Sequence, residues 1–216
     1  MKRSIWISKD HFIYSHMKSK QKTSLFIFMI ISFLFCSQLY AEEGKAEAGK
    51  WSLTLLGGVM SDDTLRDAAL FKADYDYSHK FTTLALGREL VRWKSDLRFE
   101  LEGQVLRHRG AQKYWEFGGA IIARWLSFPW DGYIDTSFAV GEGFSITSEK
   151  SVLEQRRHED SSRFLNYLLF EFTFAHPEYK ALSLVARLHH RSGIRGLIND
   201  VHGASNSMAL GLRYEF

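Results

Sequence analysis

A histidine and a serine stand two residues apart in the segment ALSLVARLHHRSGIRGL, near the carboxyl end of the chain. Residues two apart in a β-strand lie on the same face of that strand. The imidazole of His190 could then accept the proton of the Ser192 hydroxyl as that oxygen attacks an ester carbonyl, because a serine hydroxyl is too weakly acidic to ionise alone. The pair contains the minimum groups for nucleophilic acyl transfer.

A donor for the developing oxyanion could stand beside this pair. Gly193 follows the serine, and its lack of a side chain would let its backbone N–H approach the reacting carbonyl oxygen. Asn206 is a second candidate donor, although it could simply end the last loop. The histidines His189, His190 and His202 lack carboxylate partners at a fixed spacing, so we expect neither a metal nor a cofactor.

The strand that carries the pair has one apolar face. The even-numbered residues before the pair are Leu182, Leu184, Ala186 and Leu188. If that face meets lipid, His190 and Ser192 lie on the outer wall, near one end of the strand. Polar groups are unusual there unless the substrate is itself a lipid. Arg187, His189 and Arg191 fall on the opposite face.

The same period-two alternation recurs along the chain beyond residue 50, and it is clearest over residues 95–107. One face there carries Leu97, Phe99, Leu101, Gly103 and Val105, and the other carries Asp96, Arg98, Glu100, Glu102 and Gln104. A row of charged side chains must meet water or each other. A barrel with a polar interior and a lipid-facing exterior satisfies both faces.

Eight such segments are predicted: 51–60, 79–91, 95–107, 112–126, 130–143, 162–176, 180–192 and 205–216. Lipid offers the backbone no hydrogen bonds, so membrane strands must close on themselves, and eight is the smallest common number. The predicted fold is all-β, an eight-stranded antiparallel up-and-down transmembrane barrel. A soluble, lipocalin-like barrel with apolar residues inside is the alternative.

The connections between these segments differ in length, which orients the barrel. Short links fall near Lys94, at 128–131 and at 176–179, and long ones span about 61–78, 144–161 and 193–204. Because outer-membrane barrels keep their short turns in the periplasm, we expect both termini there and the His190–Ser192 pair towards the outer leaflet.

The positions of the tryptophans agree with this orientation of the barrel in the membrane. Trp51, Trp93, Trp125 and Trp130 fall at the periplasmic ends of the predicted strands, as an interfacial girdle requires, and Trp115 does not.

The first 41 residues account for the basic character of the chain. They contain six of the 28 Lys and Arg and one of the 25 Asp and Glu, which leaves 22 basic and 24 acidic side chains and a net charge of −2 beyond them. No basic stripe remains to bind nucleic acid.

These residues are predicted to form a secretory signal peptide. A Lys-rich approach leads into an apolar run from Leu25 to Cys36, too short to span a bilayer stably, and a short polar stretch ends at Ala41. Met17 is an alternative start. Residues 42–50 would form a polar periplasmic spacer and residues 51–216 the barrel. The single cysteine lies in the apolar run, so the mature chain would have none.

The mature chain resembles the PagL-type lipid A 3-O-deacylases, eight-stranded outer-membrane barrels that remove an ester-linked acyl chain from lipid A. The segments that carry the resemblance are WSLTLLGGVMSDDTL, GEGFSITSEKSVLEQ, LNYLLFEF and, most strongly, RLHHRSGIRGLINDVHGASNSMALGLRYEF. It implies that His190 is the general base and that Ser192 is the nucleophile, both on the lipid-facing surface.

The chain departs from this family at the third residue, a glutamate that orients the histidine. The aligned position here is Ala204. Asp200, in the last long loop, is the predicted substitute, with Glu142 and Glu154 as alternatives. Losing the orienting acid alone can lower the rate by orders of magnitude.

The sequence thus predicts a carboxylic ester hydrolase of the bacterial outer membrane that acts on lipid A of lipopolysaccharide, surrounded by outer-membrane lipid. The alternative is a non-catalytic small barrel with adhesive or structural loops. A homodimer is left open.

Overall fold

The computed structural model describes residues 49–156 and 161–216. The predicted signal peptide, 1–41, and most of the predicted spacer, 42–50, lie outside the described residues. The strands are β1 (Trp51–Ser61), β2 (Asp76–Trp93), β3 (Leu97–Gly110), β4 (Trp115–Trp125), β5 (Asp135–Thr147), β6 (Phe164–Ala175), β7 (Leu182–Ser192) and β8 (Ala204–Glu215), with one short helix, α1 (Leu65–Ala69). Among the described residues, no helix is long and apolar enough to cross a membrane.

The eight strands form a closed barrel in chain order. Each strand pairs antiparallel with the next, and β8 closes on β1 with Ser52 opposite Glu215 and Ser61 opposite Asn206. Closure gives the backbone of every strand a neighbour on both sides, which a lipid environment demands. The predicted eight-stranded up-and-down barrel is therefore confirmed.

The alternation of side chains distinguishes the two faces of the wall. On β3, Leu101 is 51% exposed, whereas the neighbouring Glu100 and Glu102 are 1% and 2% exposed. Exposed large apolar residues recur on the outer face of all eight strands, for example Leu55, Leu84, Phe117, Phe144, Phe172, Leu184 and Leu210. An apolar exterior around a charged interior is the distribution of a membrane barrel and the reverse of a soluble one.

One end of the barrel carries both ends of the described chain and three connections, 94–96, 126–134 and 176–181. Trp51, Trp93 and Trp125 lie at this end of their strands, and Trp130 lies in the second connection. At the opposite end the connections are 62–75, 111–114, 148–163 and 193–203, of which 111–114 is short.

The fifth strand begins later than predicted. The sequence placed its start at residue 130, but residues 126–134 form a turn and β5 begins at Asp135. The N–H of Tyr133 donates to the carbonyl of Trp130, and Asp131 accepts from the backbone N–H groups of Phe128 and Thr136. These local bonds satisfy the backbone within the turn, so the ladder starts five residues further on.

Charged side chains fill the middle of the barrel as a chain of alternating sign. Glu100 lies 3.0 Å from both Arg124 and Arg213, and Arg124 lies 2.7 Å from Glu171. Arg187 then joins Glu171, at 2.5 Å, to Glu102, at 2.6 Å. Because these groups are almost entirely buried, each depends on its partners for charge compensation.

Replacing Glu171 with alanine should lower the free energy of unfolding by about 3–5 kcal/mol, because Arg124 and Arg187 would lose the carboxylate that they share. Urea unfolding in lipid vesicles, followed by tryptophan fluorescence, measures this change. The control is Glu149→Ala, at an exposed residue in the loop after β5, which should change stability by less than about 0.5 kcal/mol. Equal stability of the two variants would contradict the interior network as a stabilising element.

Candidate active site

His190 and Ser192 lie at the carboxyl end of β7, on the outer face of the strand. Leu182 and Leu184 are exposed on this face, and His190 and Ser192 continue the same alternation as partly exposed residues. The neighbouring His189 and Arg191 are buried towards the interior. The strand therefore presents the two polar side chains to the surroundings of the barrel, at the end opposite the chain termini.

Asn206 is the side chain that contacts the histidine. It stands directly opposite His190 in the β7–β8 register, and its Oδ1 lies 2.8 Å from His190 Nδ1. The amide nitrogen of Asn206 donates to the backbone carbonyl of Asp63 at 2.6 Å. A backbone carbonyl can only accept a hydrogen bond, so the nitrogen of the Asn206 amide must face the carbonyl of Asp63. The oxygen of the same amide must then face the imidazole of His190.

The protonation pattern of His190 follows from this orientation. The amide oxygen of Asn206 can only accept, so Nδ1 of His190 carries a hydrogen and donates it. In the neutral ring, Nε2 then holds the lone pair that a general base requires. The two hydrogen bonds of one asparagine thus select the tautomer suited to proton abstraction.

The segment 62–75, here called the outer strap, covers this asparagine. It contains α1, whose N-cap residue Thr64 accepts from the N–H of Asp67 at 3.2 Å, and α1 contacts β7 and β8. Asp63 closes the strap by accepting from the N–H of Asp74 at 2.6 Å. Asn206 is 0% exposed although it belongs to the outer face of β8. The strap therefore separates Asn206 from lipid while His190 and Ser192 remain partly accessible.

The surroundings of Ser192 consist of two cross-strand neighbours and the loop that follows. Asn166 on β6 and Ala204 on β8 stand opposite it. Within the described part of the chain, its hydroxyl makes no hydrogen bond with His190. The backbone N–H of Gly193 points to the carbonyl of Gly203 at 3.4 Å, a long and weak bond. A Cβ at Gly193 would lie 2.1 Å from the carbonyl oxygen of Val201, so only glycine fits there.

The three acids considered as orienting groups lie in different places. Asp200 is exposed in the last loop, in a left-handed conformation with φ of 55°. The contact with His190 Nδ1 that the sequence predicted for Asp200 is made by Asn206. Glu142 lies on the outer face of β5, two strands away from β7. Glu154 lies inside the barrel, where it pairs with Arg191.

Arg191 fixes the end of β7 from the interior. Its Nη1 lies 2.6 Å from Glu154, its Nε donates to Ser145 at 2.7 Å, and Nη2 donates to the backbone carbonyls of residues 162 and 163. Glu154 also accepts from Ser205 on β8 at 3.0 Å and from Ser161 at 2.8 Å. Because Arg191 lies between His190 and Ser192, these contacts hold the outward-facing pair in place from behind.

The side chain of Asn206, a candidate oxyanion donor on sequence grounds, contacts His190 through its oxygen and Asp63 through its nitrogen. Its contact with His190 follows from the β7–β8 register, in which the long connection 193–203 sets His190 against Asn206. Periodicity along each strand does not fix that register. The anchoring of Arg191 by Glu154 carried no sequence signal either, because a long loop brings the two residues together.

No known family and no curated protein matches this chain in sequence. Solved structures are similar in fold. The outer-membrane enzyme PagL superimposes with a TM-score of 0.54 at 13% sequence identity, over 76% of this chain and 98% of PagL. Neisserial surface protein A gives a TM-score of 0.46 at 12% identity, over 80% of this chain and 99% of its own.

The attachment invasion locus protein of Yersinia pestis gives a TM-score of 0.40 at 13% identity, over 79% of this chain and 100% of its own. At these identities the likeness concerns the fold alone. The chain has the eight-stranded barrel fold of outer-membrane proteins.

Proposed function

We propose that this barrel is a carboxylic ester hydrolase of the bacterial outer membrane that removes an ester-linked acyl chain from lipid A, with its active site towards the outer leaflet. The single observation that carries the proposal is the hydrogen bond of 2.8 Å between His190 Nδ1 and Asn206 Oδ1, on the lipid-facing wall and beside Ser192. A histidine oriented in this way, next to a serine, supports acyl transfer from a lipid that lies against the wall.

In the first half of the reaction, Ser192 Oγ attacks the ester carbonyl while His190 Nε2 takes its proton. The carbonyl oxygen becomes an oxyanion, and the backbone N–H of Gly193 is the donor that we assign to it, since its present bond to Gly203 is long. The carbon–oxygen bond then breaks, and His190 returns the proton to the departing lipid alcohol. The contact between Ser192 and His190 forms as substrate binds, as it commonly does in hydrolases.

In the second half, His190 takes a proton from water, whose oxygen attacks the acyl-serine. The bond to Ser192 breaks, the serine recovers its proton, and a fatty acid leaves. No cofactor is required. Asn206 acts as a positioning residue throughout, because it holds Nδ1 and does not reach the substrate. A neutral amide stabilises the imidazolium less than a carboxylate would, which predicts a slower enzyme than one with an acid at this place.

Purified protein in detergent should convert lipid A to a product that has lost one acyl chain, as measured by mass spectrometry. Ser192→Ala should abolish this conversion, because it removes the attacking oxygen. Ser183→Ala is the matched control, since Ser183 lies on the same strand at its other end. Deacylation that survives Ser192→Ala would contradict the mechanism, and no deacylation by the wild type would favour the non-catalytic barrel.

Asn206→Ala should lower kcat by about tenfold or more with little change in KM, because the His190 Nδ1 hydrogen bond orients the base without contacting substrate. Steady-state kinetics with an ester of measurable turnover tests this. Ser207→Ala is the control, at the next residue of β8, which is buried on the interior face. An unchanged kcat in Asn206→Ala, or an equal loss in Ser207→Ala, would contradict the positioning role.

A further inference from the structure

A carboxylate lies on the lipid-facing wall near the candidate active site. Glu142 is exposed on the outer face of β5, in the row of the exposed apolar residues Phe144 and Ile146. An ionisable side chain that faces lipid is costly, and such residues in barrels and bundles are generally functional. Its position therefore requires either a partner in the protein or a polar group supplied by a ligand.

Among the described residues, one of its two oxygens has a hydrogen-bond donor. Oε1 of Glu142 accepts a hydrogen bond from Nδ2 of Asn166, and Nδ2 also donates to the carbonyl of Gly143 at 3.1 Å. Within residues 49–156 and 161–216, no Lys, Arg or His pairs with Glu142, and Oε2 has no donor. Asn166 thus holds the carboxylate of this exposed residue through Oε1, and Oε2 is left as an acceptor that no described residue uses.

The strand register connects this carboxylate to the catalytic pair. Asn166 stands directly opposite Ser192 in the β6–β7 pairing. Glu142 stands opposite Leu168, which in turn stands opposite His190. Two strand spacings separate Glu142 from His190, about 10 Å, with an apolar leucine between them. A lipid ester held at Ser192 would extend its polar part across Leu168 to Glu142.

Asn166 cannot serve as the oxyanion donor, since both hydrogens of its amide nitrogen are already used. Nor does Glu142 orient the histidine, because Asn206 holds Nδ1 from the opposite side. The chemistry left for Glu142 and Asn166 is recognition.

We propose that Glu142, held by Asn166, is a substrate-recognition subsite that accepts a hydrogen bond from a hydroxyl or amide N–H of the lipid's polar part. This inference rests on the proposed function, because the subsite would select which lipid ester reaches Ser192 on the same lipid-facing wall. It favours esters with a hydrogen-bond donor close to the scissile bond over simple fatty esters.

The test measures binding without turnover, in Ser192→Ala protein in detergent. The probes are octanoyl glucose and the same ester with its free hydroxyls methylated, titrated by calorimetry. The hydroxylated probe should bind about tenfold more tightly, the worth of one hydrogen bond to a charged acceptor. Glu142→Leu should abolish this preference, and Glu142→Gln, whose amide oxygen still accepts, should retain part of it.

Glu149→Leu, at an exposed acid in the adjacent loop, is the control and should keep the full preference. Because leucine suits a lipid-facing position, Glu142→Leu should fold as well as the parent, which heat-induced unfolding verifies. Equal binding of both probes to the parent, or a preference that survives in Glu142→Leu, would overturn the proposal. A preference that depends on Glu142, in a protein whose wild type hydrolyses no ester, would sustain the subsite and refute the hydrolase.

Discussion

The alternation of the barrel wall is the constraint on which the rest of the structure depends. A side chain of a closed strand faces either the interior or the lipid, and a shift by one residue would exchange the two faces. The buried network that runs from Glu100 through Arg124, Glu171 and Arg187 to Glu102 fixes the choice, since none of these charges could face lipid without a heavy cost. With Arg187 and Arg191 held inside, His190 and Ser192 must lie outside.

This constraint is readable in the sequence, which explains why the fold was predictable. The alternation over 95–107 and the apolar residues before His190 identified the barrel and the outward parity of the seventh strand without reference to any contact. The strand boundaries were harder to predict from the sequence. The fifth strand starts at Asp135 because Asp131 and the backbone of residues 128–134 close a turn with local hydrogen bonds, and periodicity does not distinguish such a turn from the start of a strand.

The partners of the candidate site were not predictable in the same way, because they depend on register and on loops. Asn206 reaches His190 through the pairing of β7 with β8, and its orientation depends on a carbonyl of the outer strap, far away in sequence. An acid was expected in this place by resemblance, and an amide occupies it. The loop carboxylate of Glu154 turned inward to Arg191, a contact that only the closed barrel creates. The candidate site is therefore assembled from residues of three strands, one loop and the outer strap.

The central claim is that an outward-facing Ser192, activated by His190, can attack an ester carbonyl at the membrane surface. Labelling with a serine-reactive fluorophosphonate that carries an alkyl chain, followed by peptide mass spectrometry, measures this directly, because only an activated serine reacts at an appreciable rate. The expected result is modification at Ser192 in the wild-type protein and its loss in His190→Ala. Modification of another serine, or none at all in folded barrels, would contradict it.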